Sequence, residues 1–312
     1  MAFNMERLRA ASIAILMLAI PASRLFAQAG EPAPRAGAAV ALAPSGAAAI
    51  PLMPEIISTY GASVDWLFYL ILGITLFMMI LVFALFLLFV VKYRHQEGRR
   101  AKFVHGNTRL EWIWTSATAA VLLWLVFEQR DTWNEIKQKD LATFENPYVV
   151  RVFAEQFGWH FLYPGPDGKF EPSDEKDIFP GINPLGLKDP KADKYSSVLM
   201  VPENVPVICE LISLGKYDQE SGKSTLPVLH SFFQPNLRFK QDLVPFHPAK
   251  IWFQILPGTL RSQDNGERKF EIACAELCGL GHYTMRADLQ VLSEEKLKAG
   301  IGYDWKTAKG KF

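Results

Sequence analysis

One stretch restricts this chain more than any other: from Trp66 to Val91 no residue carries a charge. As a helix rising about 1.5 Å per residue, the stretch exceeds the ~30 Å hydrocarbon core of a bilayer. A chain holding it either crosses a membrane or buries an unusually long helix in a soluble core. Trp66, Tyr69 and Tyr93 stand near its ends, where amphipathic rings favour the membrane interface, and this favours a span. A second candidate, Trp112 to Phe127, is shorter, contains Thr115, Ser116 and Thr118, and is bounded by Glu111 and Glu128. Topology strengthens it. Between the two segments lie Lys92, Arg94, Arg99, Arg100, Lys102 and Arg109 against Glu97. The positive-inside rule makes this loop cytoplasmic, so everything after Glu128 is expected on the outer side.

The N-terminus agrees with that direction. Arg7 and Arg9 form a basic start, Ala10 to Pro21 is a short apolar stretch, and Ala27-Gln28-Ala29 offers a small-residue cleavage pattern. Residues 1–29 are therefore predicted to be a signal peptide, the alternative being an anchor that stays attached. The Ala- and Pro-rich residues 30–60 are predicted to be a flexible linker. A transmembrane helical hairpin is expected over 61–132 and an outer domain over 133–312. With 33 basic and 32 acidic residues the formal charge is +1, which excludes polyanion binding as the business of the whole chain.

After residue 145 the pattern changes to short β-rich runs: Tyr148–Phe153, Val205–Ile212, Val228–Phe233, Ile251–Leu256, Phe270–Ala273 and Ala287–Leu292, separated by Pro, Gly, Asn and Asp. Many short strands with turn signals and no helical stretch predict an antiparallel sandwich or barrel. Asp167–Lys194 reads as a long loop, and Lys216–Thr225 as an insertion between strands.

The chemistry sits in Cys274-Ala275-Glu276-Leu277-Cys278-Gly279-Leu280-Gly281-His282-Tyr283-Thr284-Met285. Thiolate and thioether ligands are soft and select copper or zinc, and imidazole suits both. Closed zinc sites use Cys, His and carboxylates, whereas Met as a weak axial ligand marks electron-transfer copper. A mononuclear blue site needs one Cys; two Cys with this spacing can bridge two coppers, each also taking one His. His230, in Leu229-His230-Ser231-Phe232 at a predicted strand end, is a plausible second imidazole. Each residue has a plainer alternative. Cys274 and Cys278 could form a disulfide in an exported domain. His247, in the turn Pro245-Phe246-His247-Pro248, is a rival to His230. Cys209 alternates with apolar neighbours and reads as a buried small hydrophobe.

At this point the chain resembles subunit II of cytochrome c oxidase, from about residue 60 to 293. The resemblance rests on the Cys274–Met285 motif, on Leu229-His230-Ser231-Phe232, and on Asn107-Thr108-Arg109-Leu110-Glu111-Trp112 before the second helix. It implies a membrane-anchored all-β protein, a two-helix hairpin followed by a cupredoxin-like Greek-key β-sandwich carrying the dinuclear copper centre CuA. Carried over residue by residue, it implies that His230, Cys274, Cys278, His282 and Met285 bind copper through side chains and Glu276 through its backbone carbonyl. The Glu276 side chain would reach a Mg²⁺ or Mn²⁺ at the interface with subunit I, and Glu111 would lie near the mouth of a proton-uptake path. The implied function is that of an oxidoreductase subunit in a bacterial inner membrane, its outer domain periplasmic. Electrons from a c-type cytochrome would pass through CuA to haem a of an aa3-type subunit I, which holds haem a3 and CuB and itself reduces O2 while pumping protons. Subunit III is a further implied partner. Quinol-oxidising relatives lose the copper cysteines, which are present here.

The chain also departs from the family. Gln156-Phe157-Gly158-Trp159 stands where Gln-Trp-x-Trp is usual, so Phe157 occupies the place of the electron-receiving Trp, with Trp159 on the same strand face as the fallback. The usual Pro is missing from the second helix, and no Cys-x-x-Cys-His follows the outer domain, so no fused c-type haem is expected. The mixed charges around the motifs lead us to expect a haem domain held nearby, as in a supercomplex, rather than a freely diffusing basic cytochrome c.

Overall fold

Helices α1 (Gly61–Lys92) and α2 (Thr108–Glu128) are both long and apolar enough to cross a membrane, and the apolar stretch of neither is buried within the protein. So large an apolar surface suits lipid or partner helices, not water. The computed structural model describes residues 53–100, 103–170, 185–188, 193–218 and 223–308. The predicted signal peptide and most of the predicted linker lie outside them. α2 begins at Thr108, a turn before the predicted Trp112, because Asn107 caps it: its side chain accepts from the Leu110 N–H at 3.2 Å. Thr118 donates to the Trp114 carbonyl at 2.9 Å and Thr75 to that of Ile71 at 2.8 Å. These hydroxyls are thus satisfied inside their own helices, which is what an apolar surround demands. Past Gln129 the chain continues into a short amphipathic helix, α3 (Arg130–Lys137).

The outer domain is a sandwich of two five-stranded sheets. One has the order β10 (Ala249–Gln254), β5 (Pro206–Ser213), β1 (Tyr148–Glu155), β2 (Gly158–Tyr163), β3 (Lys194–Ser196). The other runs β4 (Leu199–Pro202), β12 (Arg286–Leu292), β11 (Glu267–Cys274), β8 (His230–Gln234), β9 (Phe239–Leu243). β6 (Tyr217–Asp218) and β7 (Lys223–Ser224) pair as a small hairpin inside the expected insertion. The six predicted strands all appear; β2, β3, β4 and β9 are additions.

Three expectations are corrected. The sandwich is not purely antiparallel: β1 pairs β5 and β4 pairs β12 in parallel. The chain repeatedly leaves one sheet for the other, and such long connections are what parallel neighbours require. Nor is the domain free of helix. α4 (Glu294–Ile301) and α5 (Trp305–Ala308) follow β12, and α4 buries Leu297 and Ile301. Its boundaries obey ordinary rules: the Ser293 side chain caps the start, Glu294 and Glu295 fill the first turn, and Gly302 takes a left-handed φ of 85° at the end.

The third correction concerns the linker over 30–60, whose last part is folded. Ile57 and Tyr60 are buried in the sandwich core. The Ile57 N–H donates to the Asn236 carbonyl at 3.0 Å, and the Ile57 carbonyl accepts from Leu256 at 2.8 Å. Glu55 meets Arg268 at 2.8 Å and Arg261 at 3.0 Å. Two apolar side chains beside an acid gave this segment something to bury, which composition alone conceals.

The core lies between the sheets. Tyr148, Val150, Val152 and Ala154 of β1 alternate into it and meet Phe232, Leu289 and Val291 of the other sheet. Cys209 is fully buried among them as a free thiol, and burial pushes its pKa up. On the outer face of the first sheet Leu162 packs with Leu185 and Leu187 of the long loop.

Candidate metal centre

The ligand loop hangs between two adjacent strands. β11 ends at Cys274, a loop carries Glu276, Cys278 and Gly281, a single 3-10 turn covers His282–Thr284, and Met285 leads into β12. The Cys274 N–H donates to the Met285 carbonyl at 3.1 Å, closing the loop at its neck. β8 pairs with β11 through Phe232 opposite Cys274. His230, at the head of β8, is thereby delivered from outside the motif. It is fully buried, and its backbone is paired on one side with Leu243 of β9.

The donors converge. The ligand atoms of His230, Cys274 and Cys278 all lie within 4.8 Å of one another. Each imidazole faces a different thiol: His230 Nδ1 is 3.9 Å from Cys274 Sγ, and His282 Nδ1 is 3.6 Å from Cys278 Sγ. Met285 Sδ lies 3.8 Å from Cys278 Sγ, and the Glu276 carbonyl oxygen 3.2 Å from Cys274 Sγ. The two sulfurs are 4.0 Å apart, about twice a disulfide bond of ~2.05 Å, and both cysteines are free. With metal–sulfur bonds of roughly 2.3 Å, both sulfurs can bind one ion at an angle of about 120°. Thiols open on two sides and backed by one imidazole each fit a bridged pair of soft metal ions.

Burial sets the protonation states. His230 is held down to about 4, first by desolvation and then by His282, with Glu155 partly opposing. At neutral pH it is the uncharged imidazole that a metal needs. Cys278 is pushed up to about 11 by burial and by its neighbour Cys274. Without metal it is a thiol, and binding must displace its proton.

The remaining predicted residues scatter around this centre. The Glu276 side chain is partly exposed, with Lys240 Nζ 3.9 Å away. Glu111 lies in the first turn of α2, at the other end of the membrane segment. His247 is exposed in the turn after β9, with Nδ1 3.0 Å from the Pro245 carbonyl oxygen, and is not among the converging groups. Trp159 is buried: its indole N–H donates to the Met285 carbonyl at 3.4 Å, and its ring meets Phe232 edge-on at 5.7 Å. Phe157 is half-buried against the ligand loop. Sequence reasoning missed Gln156, whose side-chain amide donates to the Cys278 carbonyl. Its place beside Phe157 was the available signal. Around the site Leu277, Leu280 and Tyr283 are exposed, as is Phe246.

The chain is similar to known proteins along most of its length. The family model "Cytochrome C oxidase subunit II, transmembrane domain" matches residues 49–128. The alternative cytochrome c oxidase subunit 2 of Bradyrhizobium diazoefficiens is 30% identical over 213 residues, covering 68% of this chain and 69% of that protein. Cytochrome c oxidase subunit 2 of Thermostichus vulcanus is 26% identical over 263 residues, 78% of this chain and 76% of that one. The solved periplasmic domain of cytochrome oxidase subunit II (CoxB) of Bradyrhizobium japonicum aligns with 52% of this chain and 93% of its own, at 22% identity and a TM-score of 0.30.

Proposed function

The chain belongs to the cytochrome c oxidase subunit II family, the electron-transfer subunit of that complex, and from this premise we propose that it takes single electrons from a c-type haem and delivers them to haem a of an aa3-type subunit I. His230, Cys274, Cys278, His282, Met285 and the Glu276 carbonyl hold the dinuclear copper centre CuA. When bound, the copper pair supplies a one-electron couple shared over both metals. The residues do the rest. Cys274 and Cys278 would hold the pair between them, His230 and His282 would each complete one side, and the Met285 thioether, 3.8 Å from Cys278 Sγ, would act as a weak tuning ligand. Trp159 and Phe232 wall the site from the core side, where burial keeps water from reorganising around it. Phe157 covers the outer side, where a donor would approach.

The observation that carries this reading is the convergence of two unjoined thiols, 4.0 Å apart, with an imidazole on each. The Glu276 side chain reaches a Mg²⁺ or Mn²⁺ shared with subunit I, and Glu111 serves the proton-uptake side. The basic loop between α1 and α2 supports a sandwich on the periplasmic side of a bacterial inner membrane, and subunit III completes the proposed complex. The test is metal analysis and EPR of the full chain purified with its membrane partners. Two coppers per chain, an electron shared between them and a co-purifying di-haem subunit are expected. One copper, or tightly held zinc, would overturn the reading.

A further inference from the structure

We infer that the β1–β2 hairpin is a latch on the ligand loop, with Gln156 and Phe157 as positioning residues and Gly281 as the seat of the Phe157 ring. This deepens the copper reading above and rests on it. The hairpin belongs to the opposite sheet, and Gln156 is 122 residues from the cysteine whose carbonyl it binds.

Gly281 is the telling residue. Its φ of −90° and ψ of 10° suit any L-residue, so backbone conformation does not require glycine there. Space does. A Cβ at Gly281 would stand 2.5 Å from Phe157 Cδ2, 2.7 Å from Cγ and 2.8 Å from Cε2. Those are ring-body atoms, not the far end of a flexible chain. Gly279 is doubly constrained: its φ is +133°, and a Cβ would meet Gln156 Nε2 at 2.9 Å and Phe157 at 3.1 Å. The Phe157 ring therefore sits close against the loop backbone at Gly279 and Gly281, where a side chain would collide with it.

The loop needs such a hold. Leu277 is 81% exposed, Leu280 98% and Tyr283 78%, so apart from the buried Cys278 its own large side chains contribute little burial to fix it. Its backbone bonds are mostly internal: His282 to Gly279 at 3.1 Å and Thr284 to Gly281 at 3.0 Å. Gln156 and Phe157, with the Trp159 indole on the Met285 carbonyl at its end, tie this internal turn to the opposite sheet. Gln156 grips the carbonyl of Cys278 and Phe157 covers the residue before His282. Both ligands are thus preorganised before metal arrives, and preorganisation is what keeps a site tight and its geometry unchanged between oxidation states.

The test is a mutant cycle on the full chain in its assembled, detergent-solubilised complex, reading copper release to a chelator and the copper EPR hyperfine pattern. Gly281→Ala should release copper roughly tenfold faster, which corresponds to about 1.4 kcal/mol, and distort the EPR pattern. Phe157→Ala should have a smaller effect. The double variant should behave like Phe157→Ala alone, because the clash has gone. Gln156→Leu should also speed release while leaving copper stoichiometry intact. Additive effects in the double variant, or a Gly281→Ala protein identical to wild type, would overturn the latch. If Gly281→Ala does not assemble, recovery of assembly in the double variant reads the same coupling. Limited proteolysis at Leu277–Tyr283 in the metal-free proteins gives a copper-independent readout: cleavage should rise in Gly281→Ala and Gln156→Leu. A wild type lacking paired copper yet showing this protection pattern would sink the copper reading and keep the latch.

Discussion

A buried thiol keeps its proton, and Cys278 does so until something better than a proton arrives. Metal binding at this centre is therefore proton release, and the ligands divide into those that bridge and those that tune. Cys278→Ser should abolish the paired-copper EPR signal, since a hydroxyl neither bridges soft ions nor ionises here. Met285→Leu should keep two coppers and shift the reduction potential. The swap nearly conserves volume at a buried position, so its stability cost should stay below ~1.5 kcal/mol. The check is copper analysis with redox titration. Loss of copper in Met285→Leu, with Cys278→Ser intact, would reverse these roles. The local part of the site was legible because Cys274, Glu276, Cys278, His282 and Met285 share one loop, where spacing is a direct statement about geometry. His230 could be read only as a histidine at a strand end. Gln156 and the seat at Gly281 were not legible, because they depend on how two sheets face each other.

At the scale of elements, the segment before α1 stabilises the sandwich as an added strip rather than a tether. Ile57→Ala should cost about 2–5 kcal/mol, the usual range for truncating a fully buried aliphatic side chain, seen as a lower melting temperature of the outer domain. Glu55 gives the strip a pH dependence. Arg268, and then Arg261, hold its carboxyl below the ordinary range despite partial burial. A depressed carboxylate contributes stability above its unfolded pKa of about 4.3 and loses it as pH falls through the folded value. Glu55→Gln should therefore melt lower than wild type at pH 7, and the gap should close below about pH 4. The gap should be under ~1 kcal/mol because the pair is partly exposed. Sequence patterning found six strands but not β2, β3, β4 or β9, whose runs lack a clear alternation of buried and exposed residues. It also passed over α4, although Ser293, Glu294 and Gly302 spell out its ends. The apolar pair in residues 53–60 was hidden by Ala- and Pro-rich surroundings.

For the whole molecule, the face around the ligand loop combines exposed apolar groups with charges that are already paired. Glu271 meets Arg286 at 2.6 Å, and Glu276 lies 3.9 Å from Lys240. Acids engaged in this way steer a basic partner weakly, and what steering exists would fade with salt. Turnover with a soluble basic cytochrome c should therefore be slow and only weakly dependent on ionic strength, while a tethered haem domain should reduce the centre quickly. Steady-state kinetics across salt concentration decide this; fast turnover that collapses at high salt would contradict it.

Arg238 joins the two halves of the molecule. It grips Asp65, near the start of α1, through Nε at 2.5 Å and Nη2 at 2.9 Å, and also the carbonyls of Pro54 and Pro235. α3 is pinned as well, by the Trp252 indole on the Glu135 carbonyl at 3.0 Å and by Lys137 on Gln241 at 2.7 Å. A turret bolted at two points cannot swivel on its mast. Height and bearing of the ligand loop above the bilayer are then fixed by the joint itself, and tunnelling distance to any haem in a neighbouring subunit is inherited from it. Arg238→Gln should loosen that bearing before it touches the ligands. In aligned membranes the copper EPR signal of the variant should lose its dependence on sample angle while its hyperfine pattern stays that of the wild type.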